Sequence, residues 1–329
     1  MTVQIAIIGL GQIGASFGLA LAEKKDLIQR VGFDIDTKVA RFAEKIGALD
    51  RVETNLSRAV RDAELVLLCL PLDQIREAME QIAPQLKEGA VVMETGLAKE
   101  VAATWILEIF PTGRYYVGLT PVLNPAYLHD LDTGIEAARA DLFKGGLMGI
   151  VAPPQTESGA IKLAADLTRL VGSSPLFTDP AEIDGLMSAT HLLPQLLAAA
   201  LLNATIDQPG WKDARKLAGR AYADASGPIV QLGDSAALSS AAILNRENLL
   251  RLLDGLGAAL LAIRSDIETS NRTGLDDRLE RARLGRLKWW AERQDSTPYN
   301  EAGSATEVTQ VPGPLERLLG IGKKSKNKA

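Results

Sequence analysis

"VQIAIIGLGQIGASFG", residues 3–18, decides how the first half of this chain is read. A nearly unbroken apolar run leads to Gly9, as expected of a strand buried on both faces of a parallel sheet. Gly9, Gly11 and Gly14 then stand in G-x-G-x-x-G spacing, and a helical pattern opens at about residue 12 and runs to about 23. The spacing alone is weak, but between a strand and a helix it has a physical use. Gly9 permits the tight turn, Gly11 lets a pyrophosphate approach the backbone, and Gly14 lets helix and strand pack closely. The helix N-terminus adds N–H groups and a partial positive charge. The expected dinucleotide contacts are therefore Gly9, Leu10, Gly11, Gln12, Ile13 and Gly14. "RVGFDID" (30–36) reads as the next strand and brings Asp34 to the adenosine ribose hydroxyls. A carboxylate there favours NAD, because it repels the extra phosphate of NADP. Lys38 and Arg41 lie just downstream and soften that preference, so NADP stays open.

The pattern continues outward. "AELVLLCLP" and "GAVVMETG" repeat the strand signal with helical stretches after each, and "RYYVGLTP", "LMGIVAPP" and "SSPLFTDP" read as further strands. Alternation of this kind predicts an α/β fold, a Rossmann-type doubly wound, mostly parallel sheet. Pro71 and Thr95-Gly96 close two of these strands on the carboxyl edge, where such ligands lie. They read either as further cofactor contacts or as plain strand-to-helix turns. Near residue 179 the period changes, and only helical patterns follow. The expected organisation is a nucleotide-binding domain over 1–178, an all-helical dimerisation or substrate domain over 179–295, and a disordered Pro/Gly/Ser-rich tail with a Lys-rich end over 296–329.

Composition narrows the function classes. The chain has 329 residues, 47% hydrophobic and 23% charged, with a net charge of −5, so no general electrostatic case exists for nucleic acid or an anionic membrane as partner. One cysteine and two separated histidines exclude an internal disulfide framework and argue against a metal site. Cys69 reads as a buried apolar residue. "HLLPQLLAAALLNA" (191–204), the longest apolar stretch, is taken as too short to span a bilayer, and a cytoplasmic location is expected. A helix that is apolar nearly all round needs burial on several sides, which a second subunit of a homodimer would supply.

The residues also resemble the prephenate and arogenate dehydrogenase family, from about Val3 to Arg293. The resemblance rests on "GLGQIGASFGLAL", "VGFDID", "LVLLCLP", "GIEAARADLFKGG", "HLLPQLLAAAL" and "NRENLLRLLDGL", in the family's order. It implies a nucleotide domain followed by a dimerising helical domain. It also implies oxidation of a ring hydroxyl by hydride transfer to NAD(P), with loss of the ring carboxyl as CO₂, on the way to tyrosine. The substrate side departs from the family. Thr120-Pro121 stands where the family has His-Pro, whose histidine takes the hydroxyl proton. "ETGLAK" (94–99) stands for Asp-x-Gly-Ser-x-Lys, with Leu97 at the serine and Lys99 kept. "THLLPQ" replaces a helix motif with two histidines, leaving Leu192 and Gln195 at their places and His191 one position off. "DASG" replaces Asp-x-Thr-Arg, keeping Asp224 and putting Gly227 at the carboxylate-clamping arginine.

A missing general base costs roughly 10²–10⁴-fold in rate. The candidates to compensate are His129, among the twelve residues between Pro121 and Gly134, a longer loop than the family's corresponding segment, and His191. Each also has a non-catalytic reading: an exposed loop histidine for His129, as most lone histidines are, and a hydrogen-bonded core histidine for His191. Thr120 can orient a hydroxyl but cannot act as a base near neutral pH. Lys99 and Asp224 are candidate substrate-binding residues or structural charges. Three functions remain open: an NAD(P)-dependent dehydrogenase of this family with an altered small-molecule substrate, a catalytically silent dinucleotide-binding relative with a regulatory or partner-binding role, and an NAD(P)-dependent reductase of another small acid.

Overall fold

The computed structural model describes residues 2–130, 132–230 and 235–294; the tail expected from residue 296 onward lies outside the described residues. Contacts divide them into two units, 2–184 with 235–241, and 185–230 with 242–294.

The first unit is built on an eight-stranded sheet in the order β3-β2-β1-β4-β5-β6-β7-β8. Its strands are β1 (Val3–Ile8), β2 (Ile28–Phe33), β3 (Arg51–Val52), β4 (Leu65–Leu68), β5 (Val91–Glu94), β6 (Tyr115–Pro121), β7 (Leu147–Val151) and β8 (Ser174–Phe177). The helices of this unit are α1 (Gln12–Ala20), α2 (Thr37–Lys45), α3 (Leu56–Val60), α4 (Leu72–Ile82), α5 (Lys99–Ile109) and α6 (Ser158–Leu170). All of β1 and β4 and all of β5 are buried, which is why they read as apolar runs rather than as alternation. Ile5, Ile7, Leu65, Leu67, Val91 and Met93 belong to one core cluster, and Phe17 of α1 meets Phe143 with ring centroids 4.5 Å apart. The fold is the expected mostly parallel Rossmann-type sheet.

Two local features were not legible beforehand. β3 has two residues, too few to show a period, and α3 behind it is started by Asn55, whose side chain accepts from the Arg58 N–H. β7 pairs antiparallel with β6, with Thr120 opposite Gly149. Among its described residues the link between them carries two 3₁₀ turns, Pro125–Tyr127 and Gly134–Ala137, and no crossover helix, so the chain returns from the edge at which it left.

The chain passes into the second unit within α7 (Pro180–Met187), which continues through a π turn, Ser188–Leu192, into α8 (Leu193–Thr205). The Leu193 N–H donates to the Ser188 carbonyl five residues back. The wider turn sits directly before Pro194, which lacks an N–H to donate and would crowd the carbonyl four residues back. Because the turn leaves the helix unbroken, the expectation about its length needs correction. Pro180–Thr205 is 26 residues long with a mean hydropathy of 1.4 over its most apolar window, long and apolar enough to cross a bilayer. It nevertheless carries Glu182, Asp184, His191 and Gln195, and Asp184 is committed to a cap within the first unit. The remaining helices are α9 (Trp211–Leu217), α10 (Arg220–Ser226), α11 (Ser235–Leu244), α12 (Arg246–Glu268) and α13 (Arg272–Gln294). Asp266 joins α12 to α13 by accepting from Arg278 Nε at 2.6 Å and Asn271 Nδ2 at 2.9 Å.

Candidate dinucleotide site at the carboxyl edge of the sheet

Register places the candidate site. Phe33, Ile8, Leu68, Glu94 and Gly118 form one row across β2, β1, β4, β5 and β6. The next residues out of that row are Asp34, Gly9, Cys69, Thr95 and Leu119, so Asp34, the glycine loop, Pro71, Thr95-Gly96 and Thr120 share one edge. The edge runs from β2 through β1 to β6, long enough to seat both halves of a dinucleotide.

The three glycines of the loop have different reasons to be glycine. Gly9 has φ +85°, and a Cβ there would stand 2.5 Å from the Cys69 carbonyl oxygen. A Cβ on Gly14 would overlap the Gly9 carbonyl oxygen. Both positions are demanded by the protein's own packing. Gly11 is not: its φ of −68° suits any residue, and a Cβ would meet nothing within 4 Å among the described residues. The space above Gly11 is open, no side chain caps α1, and its first turn holds no acidic residue. That is the arrangement an anionic pyrophosphate needs, so these residues fit a dinucleotide. Asp34 Oδ2 accepts from the Leu10 N–H at 2.8 Å and Oδ1 from the Asp36 N–H at 2.9 Å. The carboxylate thus braces the loop and keeps lone pairs for a ribose hydroxyl. "GIEAARADLF" packs on the same helix, with the Arg139 N–H donating to Ser16 Oγ at 3.0 Å and Gln12 Nε2 to the Ala137 carbonyl at 3.4 Å.

At the end of β5 the structure assembles a group that sequence reasoning missed. Glu94 is fully buried; its Oε1 accepts from Lys99 Nζ at 2.7 Å and from the Tyr116 hydroxyl at 2.8 Å. Its Oε2 accepts from the Gly96 N–H at 2.5 Å. Lys99 Nζ also donates to the Glu94 carbonyl at 3.1 Å. Gly118 makes room, since a Cβ there would stand 2.9 Å from Lys99 Cδ and 3.0 Å from Tyr116 Oη. Asp184, from α7, caps α5 by accepting from the Lys99 N–H at 2.7 Å and the Glu100 N–H at 3.0 Å. Burial pushes the Asp184 carboxyl up to about 6, against the pull of those two N–H groups. Burial, then the Glu94 charge, raises the Tyr116 phenol well above its ordinary value. The signal available in the sequence was one glutamate ending an apolar strand, five residues before a lysine.

The remaining candidates are placed as follows. Thr120 is buried, and its Oγ1 has no hydrogen-bond partner among the described residues. Lys99 is 1% exposed, with its ammonium committed to Glu94. Cys69 keeps some exposed surface as a residue, but burial of the thiol pushes it up to about 12, which keeps it protonated. His129 is exposed in the turn after Pro125–Tyr127. His191 and Asp224 belong to the second unit, and both are exposed. On the π turn it is Leu192, not His191, that is buried; Ser188 Oγ and Gln195 Oε1 are buried without a hydrogen-bond partner among the described residues. No group of metal-ligating side chains occurs among the described residues.

Comparison with known proteins bears on the fold and on the nucleotide-binding domain. The family model described as the prephenate dehydrogenase nucleotide-binding domain matches residues 17–175, beginning just past the glycine loop. Among curated proteins, the prephenate dehydrogenase of Bacillus subtilis (strain 168) is 24% identical over 202 residues, 61% of this chain and 53% of that one. The cyclohexadienyl dehydrogenase of Zymomonas mobilis is 27% identical over 198 residues, 60% of this chain and 66% of that one. The matches thus span between about half and two thirds of these relatives' lengths. Among solved structures, A. aeolicus prephenate dehydrogenase, in complex with hydroxyphenyl propionate and NAD+, superposes with a TM-score of 0.77 at 21% identity, over 88% of this chain and 98% of that one. Synechocystis arogenate dehydrogenase gives a TM-score of 0.67 at 22% identity, over 87% and 100%. At such identities the solved structures speak for the fold, and the matched domain speaks for the lineage: residues 17–175 belong with the nucleotide-binding domains of the prephenate dehydrogenase family.

Proposed function

We propose that this protein is an NAD-dependent oxidoreductase that oxidises a ring hydroxyl of a small acid of the prephenate or arogenate type, with loss of a carboxyl as CO₂. The observation that carries the reading is the open, uncapped α1 N-terminus over Gly11, braced by Asp34. In this reading the N–H groups of the Gly9–Gly14 loop hold the pyrophosphate. Asp34 accepts from the adenosine ribose, favouring NAD over NADP, and Pro71, Thr95 and Gly96 border the nicotinamide half. A bound nicotinamide supplies the hydride acceptor. The Thr120 hydroxyl, without a hydrogen-bond partner among the described residues, orients the substrate hydroxyl as it gives up its proton. The proton itself falls to His129 or His191, and Asp224 contributes to substrate binding. Lys99 supports the site from within, through Glu94.

The second unit supplies the interface of a homodimer in this proposal. Leu250, Leu260, Leu261, Ile267, Leu279 and Leu284 on α12 and α13 are all about half exposed or more, a large apolar face for a single chain to leave bare. The location that fits this role is cytoplasmic.

One observation favours a second reading. The side chain at the end of β6 is a threonine, and the nearby lysine is locked in an ion pair, so neither is a ready base. A dinucleotide-binding relative without turnover fits that. Formation of reduced cofactor at 340 nm with prephenate or arogenate, beside a titration with NADH on the same sample, separates the two. Turnover establishes the first reading, tight binding without turnover the second, and failure to bind NADH refutes both.

A further inference from the structure

The Glu94–Lys99–Tyr116 cluster lies under the turn 95–98, and its geometry suggests a use beyond holding the fold together. A dinucleotide with its ribose at Asp34 on β2 and its pyrophosphate at the glycine loop after β1 must lay its other half over β4, β5 and β6. The turn after β5 is therefore a neighbour of the nicotinamide ring and its carboxamide. That turn is pinned at both ends. Glu94 Oε2 takes the Gly96 N–H, and Asp184 takes the N–H groups of Lys99 and Glu100. Glu94 is itself fixed from two sides, by the ammonium of Lys99 and the hydroxyl of Tyr116, both on Oε1. Gly118, facing Glu94 in the register of β5 and β6, leaves the space in which the Lys99 stem and Tyr116 hydroxyl lie.

We infer that Glu94, Lys99 and Tyr116 are positioning residues that set the backbone of the 95–98 turn as the docking edge for the nicotinamide half of the cofactor. The inference rests on the dinucleotide reading above. The carboxamide is a planar group with a donor and an acceptor, and a backbone edge recognises it only if its own N–H and C=O groups are held in place. The adenosine and pyrophosphate seats are built from other residues, Asp34 and the Gly9–Gly14 loop. The cluster therefore acts on one half of the ligand and not on the other, which a general support of the fold would not do.

The test compares NADH with ADP, which carries the adenosine and pyrophosphate but no nicotinamide, by titration of the full-length protein. Tyr116→Phe removes one hydrogen bond to Glu94 and keeps the ring; Lys99→Met removes the charge and keeps the stem. In both variants NADH affinity is expected to fall about fivefold or more, with ADP affinity unchanged. If Lys99→Met fails to fold, Tyr116→Phe alone decides. Equal losses for NADH and ADP, or no loss for either, overturn the inference and leave the dinucleotide site standing. A wild-type protein that binds neither NADH nor ADP instead refutes the dinucleotide reading.

Discussion

Lys99 Nζ lies 2.7 Å from Glu94 Oε1, with both side chains almost completely buried. Two charges in such a place are tolerated because each compensates the other, and because Tyr116 and the Gly96 N–H complete the hydrogen bonding of the carboxylate. Removing one partner leaves the other charged and dry. Lys99→Met is therefore expected to cost about 3–5 kcal/mol in chemical denaturation. Adding Glu94→Gln should return a large part of it, because the amide oxygen still accepts from Gly96 and no net charge remains. A cost below about 1 kcal/mol for Lys99→Met would show that the pair is solvated in solution.

Gly11 and Gly14 separate binding from folding. At Gly11 neither backbone conformation nor space within the protein requires glycine. Gly11→Val should leave thermal stability within about 0.5 kcal/mol of wild type while abolishing NADH binding by filling the pyrophosphate seat. Gly14→Val should do the reverse, because its side chain is driven into the Gly9 carbonyl and prises α1 from β1. Undiminished NADH affinity in folded Gly11→Val would remove the glycine loop from the site.

The glycine loop and the sheet were legible because a strand buried on both faces leaves an apolar run, and the turn after β1 admits few residues. What was not legible depended on distant partners. The carboxylate that caps α5 comes from 85 residues away, and nothing near Lys99 announces Asp184. Lys99 itself reads the same in sequence whether it faces a substrate or Glu94. The direction of β7 was hidden because its strand pattern is the same either way, and only the missing crossover helix decides it. The π turn was hidden for a related reason: a one-residue widening at Ser188–Leu192 shifts which residues face inward without changing the helical composition.

The two histidines make a test that needs no assumption about which is the base. In the dehydrogenase reading, one of His129→Ala and His191→Ala should lose roughly 10²–10⁴-fold in kcat and the other should lose little. Steady-state assays on the best substrate found would show it. Near-wild-type rates in both variants would exclude both histidines and return attention to groups around Thr120.

Asp184 should impose a pH dependence on stability. Its carboxyl is raised from the usual 3.8 to about 6 in the folded protein, chiefly by burial. The folded state therefore holds a proton between roughly pH 4 and pH 6 that the unfolded chain releases. Its stabilising contribution is fully present below the unfolded value and is lost as pH rises through about 6, where the ionised carboxylate becomes a buried charge. The rise from 3.8 to about 6, which already includes the pull of the two backbone N–H groups, corresponds to at most about 3 kcal/mol. Denaturant midpoints measured from pH 4.5 to 7.5 should fall across that window in the wild type. They should run flatter in Asp184→Asn, whose side-chain oxygen can still cap α5 but cannot ionise. Parallel pH profiles for the two proteins would mean that Asp184 is ionised throughout, and that the cap outweighs the burial.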